Sequence, residues 1–366
     1  IERYLPWARL ADDPRDSVPI TLRGLLTHSA GLPREADFPY WTGPDFAFPS
    51  QAQVRVAIRE QTPLYPASTT WQYSNLGLTL VGETVEAVSG TPYAEYVDAN
   101  ILGPLGLDDT RAGIPAQLYG QQMAVGWGAL EADGTRPVVG LFDPAGITPA
   151  AGFTASVADL AKFASWTFRL ASSGEEEVLR PSTLREMQRV HYISPDWETS
   201  WGLGFSVRQE GGTTVVGHGG ACPGYRSVLM LAPSEGMGVA VAMNAMDDPG
   251  GIARGIAALV KARGEAAPFD PVAGVDLADY AGVYSGQPWD SDFMLIPWAG
   301  GLTWLDPDAV EPARALWRLK PLGGDRFRVV TDKGAEREAV TFERDAAGQV
   351  RAIRRHANLS PRLRGL

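Results

Sequence analysis

A tyrosine and an asparagine two positions apart are the residues of this sequence whose types and spacing could do chemistry together. They are Tyr73 and Asn75, and an apolar, helix-like run over residues 76–88 follows them. Side chains placed this way before a helix can point into one cleft, where the phenol could act as a base and the amide could donate and accept. A free phenol has a pKa of about 10, so Tyr73 needs nearby cations to act as a base at neutral pH.

The composition narrows the classes of partner. The 366 residues carry a formal net charge of −11, which argues against nucleic acid and anionic membrane surfaces. No apolar run approaches the length of a membrane span. The single cysteine, Cys222, excludes an internal disulfide framework, and the four scattered histidines lack the spacing of zinc ligands. We therefore expect neither a metal nor a cofactor, and a small molecule or short peptide as substrate.

Helical patterns dominate the first half of the chain, and strands follow after residue 200. Capping residues and prolines predict helices over 22–27, 51–59, 76–88, 92–101, 157–171 and 181–190. Ser50 is the expected cap of the second helix, and Ser156 with Asp159 forms the expected capping box of the helix over 157–171. Strands are predicted over 201–207, 213–216, 225–231 and 238–243, before a helix over about 251–261. Residues 33–49 are rich in proline and aromatic residues and predict a loop on the surface or over a cleft. This order is typical of an α+β or three-layer fold.

The last hundred or so residues have a different pattern. Residues 264–271 have the composition of a linker, and the periodicity beyond them is that of short strands separated by turns. About seven or eight such strands predict a small antiparallel β-barrel. The expected organisation is a first domain over 1–263, a linker over 264–271 and a barrel over 272–366. A length of 366 residues also favours two domains.

Three stretches, taken together and in order, resemble motifs of the serine β-lactamase superfamily in its class C-like branch. Residues 25–32 are similar to a signature loop of that branch, and Tyr73-Ser74-Asn75 is similar to its second motif. The third, Gly217-His218-Gly219-Gly220-Ala221, has His218 where lysine is usual. The branch holds class C β-lactamases, DD-peptidases, D-aminopeptidases and β-lactamase-like esterases. The resemblance covers about residues 1–262 and implies a β-lactamase/penicillin-binding-protein-like three-layer fold. Residues 277–284 are similar to the start of a lipocalin-like C-terminal domain found in some members.

The sequence departs from that family at the nucleophile. The family's serine lies in a Ser-x-x-Lys motif at the start of a buried helix, and no serine here has a lysine three positions later. The expectation is an N-terminally truncated fold whose nucleophile lies upstream of Ile1, in the same chain or on a separate N-terminal fragment. Such a truncation would leave an unpaired sheet edge. The first residues also leave the compartment open between bacterial cytoplasm, periplasm and secretion.

The resemblance implies roles for the remaining motif residues. The upstream serine would form a covalent acyl-enzyme, with its lysine and Tyr73 sharing the proton transfers. That lysine and a protonated His218 would lower the pKa of Tyr73. Asn75 would hold the carbonyl or amide of the substrate, and the backbone N–H of Ala221 would complete the oxyanion hole. Residues 218–221 would lie on an edge strand facing the cleft, and Gly219 and Gly220 would let the substrate backbone approach that strand closely.

Other residues that could be mistaken for site residues have plainer interpretations. His28 is expected to support the packing of its loop rather than to do chemistry, and His191 and His356 belong to no motif. Cys222 lacks a partner that would make it a nucleophile and is interpreted as a small buried residue. The stripe of Leu160, Phe163, Ala164 and Phe168 has the spacing of a helix face in the core.

Two functions from different classes remain. The first is a serine hydrolase of peptides, amides or esters, with His218 favouring a D-amino-acid peptidase, DD-peptidase or esterase over a true β-lactamase by analogy. The second is a catalytically inactive protein that uses the same fold for binding. A Ser-x-x-Lys motif upstream of Ile1 would decide for the first.

Overall fold

The computed structural model describes residues 1–10, 17–307, 313, 316–331 and 333–366. Contacts within the chain divide it into two compact units, Ile1–Ala253 and Arg254–Leu366. The first unit holds helices and an antiparallel sheet, and the second holds a closed barrel. The division falls inside the helix that runs to Glu265, so a linker beginning at residue 264 stays a prediction. In the described parts of the chain, no helix is both long enough and apolar enough to cross a membrane.

The helices of the described residues follow the predicted positions closely. They are α1 (Leu22–Leu26), α2 (Gln51–Glu60), α3 (Asn75–Ser89), α4 (Tyr93–Val97), α5 (Gly103–Leu105), α6 (Thr148–Ala151), α7 (Val157–Ser173), α8 (Pro181–Gln188) and α9 (Gly250–Glu265). A π-helical turn, Asp98–Leu102, joins α4 to α5, and short 3-10 helices cover Ala116–Leu118, Ala145–Ile147 and Leu277–Tyr280.

The strands of the described residues form three sheets. They are β1 (Arg111–Ala112), β2 (Phe153–Thr154), β3 (Tyr192–Ile193), β4 (Ser200–Trp201), β5 (Ser206–Glu210), β6 (Thr213–Cys222), β7 (Tyr225–Ala232), β8 (Met237–Met243), β9 (Gly282–Tyr284), β10 (Phe293–Trp298), β11 (Gly301–Leu305), β12 (Trp317–Gly323), β13 (Arg326–Val330), β14 (Glu336–Arg344), β15 (Val350–Arg355) and β16 (Asn358–Gly365). β1 pairs with β2, strands β3 to β8 form an antiparallel meander in chain order, and β9 to β16 close into the barrel.

Several local features differ from the sequence-based expectation. The strand predicted over 201–207 is broken into β4 and β5, with Gly204 between them in the left-handed region at φ 78°. Pro92 is the N-cap of α4 rather than its first residue. Only half of the predicted capping box of α7 forms: Ser156 accepts the N–H of Asp159, but the Asp159 carboxylate accepts from Asp109 and Thr110. The barrel is closed by β16, over residues for which the sequence had not predicted a strand.

The core of the first unit anchors the start of α3. Leu76 and Leu80 of α3 are 1% exposed and belong to one cluster with Leu25 of α1 and Ile58 of α2. This packing accounts for the apolar residues in the first turns of the helix. Burial of this kind stabilises by about 25 cal/mol for each Å² of apolar surface removed from water. The helix cannot shift without opening this core, so the residues at its first turn hold fixed positions.

The sheet is covered on one face by α7. Ala164 and Phe168 of that helix lie in one apolar cluster with Val216 of β6 and Leu231 of β7, and these two residues of the predicted core stripe face the sheet. β8 is the last strand of the sheet, and its outer edge has no partner strand among the described residues. A seven-residue uncharged edge of this type is the feature that natural proteins usually cover.

The barrel contains its own core. Tyr284, Leu295, Leu319 and Phe327, each at 0% exposure, fill its interior with aromatic and aliphatic side chains. The hydroxyl of Tyr284 donates to the carbonyl of Tyr280 at 2.7 Å, so this polar atom is not left unpaired inside the barrel.

Because this core and the closing strand lie within the barrel, we expect residues 268–366 to fold alone. A fragment of those residues should give a β-type circular dichroism spectrum and a cooperative melt. In that fragment Phe327→Ala should cost about 3–5 kcal/mol in free energy of unfolding, because it empties a fully buried site. The control is Leu359→Ala, whose side chain is 39% exposed and should change stability little. A random-coil spectrum of the unmodified fragment would contradict the prediction.

Candidate active site

The segment from residue 28 to residue 35 is bonded to the start of α3. The Ser74 hydroxyl donates to the Pro33 carbonyl at 2.7 Å and accepts the N–H of Gly77 at 2.9 Å, so it joins the segment while capping the helix. The N–H of Leu76 donates to the carbonyl of Arg34 at 3.1 Å. These bonds fix the positions of the residues on either side of Ser74.

His28 holds the two residues that flank Tyr73. Its carbonyl accepts the N–H of Gln72 at 2.8 Å, and its Nδ1 accepts the N–H of Ser74 at 3.2 Å. The backbone of His28 is left-handed at φ 57°, a conformation that histidine, asparagine and aspartate adopt more readily than most residues. The sequence-based interpretation of His28 as a supporting residue agrees with this geometry, and its ring also lies 4.2 Å from that of Tyr73.

Aromatic rings from four separate parts of the chain meet around Tyr73. The ring centroid of Tyr73 lies 6.0 Å from that of His218 and 6.3 Å from those of Trp71 and Trp201. The Trp201 ring also stands edge-on to that of His218 at 5.7 Å. The structure therefore brings Tyr73 and His218, two of the predicted site residues, into one cluster.

The second half of β6 has a free edge beside this cluster. β5 pairs with β6 from Thr213 to Gly217, and from His218 to Cys222 the only pairing among the described residues is with β7. Gly219 and Ala221 are exposed there. The expected edge strand is thus an interior strand of the sheet whose last five residues lack one neighbour. An extended substrate could add to such an edge through main-chain hydrogen bonds.

The two glycines after His218 differ in what their lack of a side chain achieves. A Cβ on Gly220 would lie 2.3 Å from the hydroxyl oxygen of Ser227, so a larger residue there would require that hydroxyl to rotate away. A Cβ on Gly219 would meet its nearest neighbour, the carbonyl oxygen of Ser227, at an ordinary 3.6 Å. Packing against neighbouring atoms therefore does not account for Gly219.

Asn75 makes a contact that the sequence did not indicate. Its Nδ2 donates to Oε1 of Glu35 at 2.5 Å, and the same oxygen accepts from the indole of Trp41 at 2.9 Å. The second carboxylate oxygen, Oε2, is buried without a partner in the part of the chain that the structure describes. Burial raises the pKa of Glu35, against the hydrogen bonds of Trp41 and Asn75 and the charge of Arg34, which lower it.

The electrostatics of Tyr73 differ from the expectation of a lowered pKa. Burial raises the pKa of its phenol, and the charges of Glu35 and Cys222 raise it further. Arg34 opposes this shift, since its guanidinium carbon lies 4.9 Å from the centre of the Tyr73 ring. The nearby cation is therefore an arginine of the loop, which the sequence analysis had not assigned to the site.

His218 is also in a different charge state from the one expected. Burial lowers its pKa below the usual 6.5, with only the hydrogen bond to Gly219 acting in the other direction. The ring is therefore neutral at pH 7, which corrects the expectation of a protonated His218. Its Nδ1 donates to the carbonyl of Gly219 at 2.5 Å in this neutral form, which leaves Nε2 as an acceptor.

Cys222 and the remaining histidines have no such arrangement. The Cys222 thiol lies 3.6 Å from the carbonyl of Ala151, and burial raises its pKa to about 11, which keeps it protonated at neutral pH. Nε2 of His191 lies 2.8 Å from the carbonyl of Glu186, and His356 lies in the exposed turn between β15 and β16.

The sequence analysis missed Arg34, Glu35, Trp71 and Trp201. The indole N–H groups of both tryptophans are buried, and neither has an acceptor within the described residues. Trp201 reaches the cluster because the turn between β4 and β5 is held against α1, where the N–H of Gly204 donates to the carbonyl of Leu26 at 3.0 Å. For the two loop residues, the one available signal in the sequence was the adjacent pair of opposite charges, Arg34 and Glu35, within a loop rich in aromatic residues.

The position of His28 predicts a dependence of stability on pH. Burial lowers the pKa of His28 from 6.5 to about 3, and the charges of His218 and Arg34 act in the same direction. Protonation would also place a donor against the N–H of Ser74. The unfolded chain therefore binds this proton more tightly. Stability should be complete above pH 6.5 and should fall toward pH 3, by up to about 1.4 kcal/mol for each pH unit.

Denaturant unfolding between pH 3.5 and 7 should measure this contribution. His28→Asn keeps an acceptor and a residue that tolerates the left-handed backbone, but it does not titrate, so its stability should fall less steeply with acid. The matched control is His356→Asn, at φ 55° in an exposed turn, which should keep the slope of the unmodified protein. Equal slopes for all three proteins would contradict the assignment.

The sequence is similar to one family model and to several curated proteins. The family model described as Beta-lactamase matches residues 1–263. Among curated proteins, the Unguisins hydrolase of Aspergillus campestris is 24% identical over 236 residues, covering 63% of this chain and 43% of that protein. A D-aminopeptidase of Cereibacter sphaeroides is 27% identical over 238 residues, covering 61% and 42%. The chain spans about two fifths of the length of these relatives.

Solved structures share the architecture. A D-stereospecific amidohydrolase from Streptomyces sp. is 25% identical with a TM-score of 0.56, covering 67% of this chain and 73% of its own. A penicillin-binding protein homologue from Pyrococcus abyssi, described as octameric, has a TM-score of 0.57 at 22% identity and covers 93% of this chain and 81% of its own. The likeness to the Pyrococcus abyssi structure shows the fold of this chain. It is the predicted β-lactamase/penicillin-binding-protein-like fold, with a C-terminal antiparallel barrel.

The relatives in these comparisons are named as hydrolases and peptidases, and the resemblance drawn from the three motifs is confirmed. The family match covers residues 1–263, and this part of the chain brings Tyr73 of the second motif close to His218 of the third. We conclude that this chain belongs to the Beta-lactamase family.

Proposed function

We propose that this protein is a serine hydrolase that forms an acyl-enzyme on peptide, amide or ester carbonyls, of the D-amino-acid peptidase or esterase type. The observation that carries the proposal is the 6.0 Å approach of the Tyr73 and His218 rings beside the free edge of β6. A proton-transfer group next to a strand edge that can bind an extended substrate is the arrangement that acyl transfer requires.

The nucleophile is assigned to a serine outside residues 1–366, because no serine within them has the lysine that the family motif requires. The lysine of that motif would also supply the cation that Tyr73 needs. Burial raises the pKa of Tyr73 and Arg34 alone opposes it, so a second cation close to the phenol would favour the phenolate. Tyr73 then shares the proton transfers with that lysine.

The other predicted residues take roles that suit a neutral His218. Its Nε2 accepts a hydrogen bond from the substrate or from a bound water, rather than contributing positive charge. The N–H of Ala221 forms part of the oxyanion hole, and Gly219 allows the substrate backbone to lie against β6. Asn75 is held by Glu35 through Nδ2, so its Oδ1 is the atom left to accept from a substrate amide.

Glu35 supports a narrower substrate class, namely substrates with a free amino group. Its Oε2 is buried without a partner among the described residues, and an unpaired carboxylate oxygen is costly in that setting. An ammonium group bound there would be charge-paired and would offset the cost of burial. The carboxylate is close enough to Tyr73 to raise the pKa of that phenol, so an amino group at Glu35 would lie close to Tyr73.

A binding protein without turnover is the second candidate. It is favoured by the absence of a Ser-x-x-Lys motif from residues 1–366 and by the raised pKa of Tyr73, which keeps the phenol protonated and so unavailable as a base at neutral pH.

Labelling by a fluorophosphonate, read by intact mass, tests the nucleophile assignment. The chain of residues 1–366 should give no adduct, whereas the same chain expressed with the coding sequence that precedes Ile1 should give one adduct per molecule. In that longer protein Tyr73→Phe should lower turnover by about 10²–10⁴ without a change in melting temperature. The control is Tyr65→Phe, whose side chain is 39% exposed and lies outside the aromatic cluster.

Each outcome of this experiment has a distinct meaning. An adduct on a serine within residues 1–366 would show that the nucleophile assignment is wrong. An adduct found only on a co-purifying fragment would indicate a nucleophile supplied in trans. No adduct on either protein would favour the binding protein over the hydrolase.

The role of Glu35 is tested in the active protein with paired substrates. Glu35→Gln keeps an oxygen for Asn75 and Trp41 but removes the charge, so kcat/KM for a D-amino-acid p-nitroanilide with a free amine should fall about 10- to 100-fold. The N-acetylated form of the same substrate should be hydrolysed as before. Asp37→Asn, an exposed carboxylate two positions along the loop, is the matched control. An equal loss for both substrates would show that Glu35 only supports the fold.

A further inference from the structure

A cavity of about 320 Å³ lies at one end of the barrel. Its walls come from the β9–β10 loop, from the end of β11, and from the turn between β15 and β16 with its flanking strand residues. The mouths of β-barrels are common sites for small ligands, and this volume is at the lower end of the range for such pockets. The cavity lies wholly within the second unit and shares no residue with the site around Tyr73.

Tryptophans provide the apolar walls of the cavity. Trp304 is stacked on Phe293 with ring centres 3.6 Å apart and planes at 13°, so one aromatic face of the wall is held rigidly. Trp289 is 87% exposed, and its backbone N–H donates a hydrogen bond to the carbonyl of Gly286 within the β9–β10 loop. A tryptophan that is almost fully exposed gains little from folding, which points to a use for its ring in binding.

Charged side chains lie next to these rings. Asp290 and Asp306 line the cavity, and the hydroxyl of Ser291 donates to Asp306 at 3.3 Å. Arg355 is the positive residue of the lining, but its guanidinium is paired with Glu338 at 2.5 Å and lies 5.4 Å from the centre of the Trp317 ring. The charge of Arg355 is thereby offset, and the Asp290 carboxylate adds negative charge to the lining.

We propose that this cavity binds a small organic cation, an alkylammonium group carried by a free molecule. The negative faces of tryptophan rings attract such cations, most strongly where water is partly excluded. Carboxylates next to the rings add attraction for a positive charge, and the polar side chains of Ser291 and Asn358 can accept or donate to a hydroxyl on the same ligand. A neutral molecule of the same shape would gain only the apolar contact.

Titration of the full chain with choline, followed by calorimetry, tests this proposal. The comparison ligand is 3,3-dimethyl-1-butanol, which has the shape of choline without its charge. We expect choline to bind and the alcohol to bind at least several-fold more weakly, with the choline affinity falling as salt is added. Trp289→Ala should weaken choline binding by about 3- to 30-fold and leave the melting temperature unchanged, since the side chain is exposed.

Two further variants test whether choline binds at this cavity rather than elsewhere on the chain. Asp290→Asn should also weaken choline binding, because it removes a negative charge from the lining. Trp197→Ala removes a tryptophan that is 79% exposed in the first unit and should leave the affinity unchanged. Equal binding of choline and the alcohol, no binding of either, or the same loss in Trp289→Ala and Trp197→Ala would each overturn the proposal.

Discussion

The position of Tyr73 depends on the hydrogen bonds that His28 accepts from the residues on either side of it. The carbonyl and Nδ1 of His28 accept the N–H groups of Gln72 and Ser74. This requires a neutral imidazole with its proton on Nε2, in agreement with its lowered pKa. The left-handed backbone of His28 turns both acceptors toward the same segment. One residue thus couples the loop, the start of α3 and the phenol that lies between them.

The site built on this constraint contains three groups that are neutral at pH 7. They are His28 and His218, whose pKa values are lowered, and Tyr73, whose pKa is raised; burial also raises the pKa of the Glu35 carboxyl. All four shifts have burial as their first cause, which means that the cluster excludes water efficiently. Arg34 is the cation at the Tyr73 ring among the described residues. A charged ligand or a further cation entering this cluster would therefore interact strongly.

The two halves of the chain use aromatic residues in different ways. Around Tyr73 the rings come from separate loops and strands and surround polar atoms that could take part in chemistry. In the barrel, Tyr284 and Phe327 are fully buried and fill the interior, whereas Trp289 extends into solvent at one end. The barrel interior is thus a packed core, and any ligand of this unit must bind at its mouth rather than inside it.

The sequence by itself determined the elements and the family motifs. Ser50 caps its helix as the pattern predicted, and β7 and β8 lie within a residue of their expected limits, because capping and strand periodicity are local properties. Tyr73 and His218 were also identified, since their motifs occur in order. Only the tertiary structure decided that Glu35 binds Asn75, that Arg34 lies over Tyr73, and that His218 is neutral. Those facts depend on burial and on contacts between segments far apart in the chain, which no local pattern encodes.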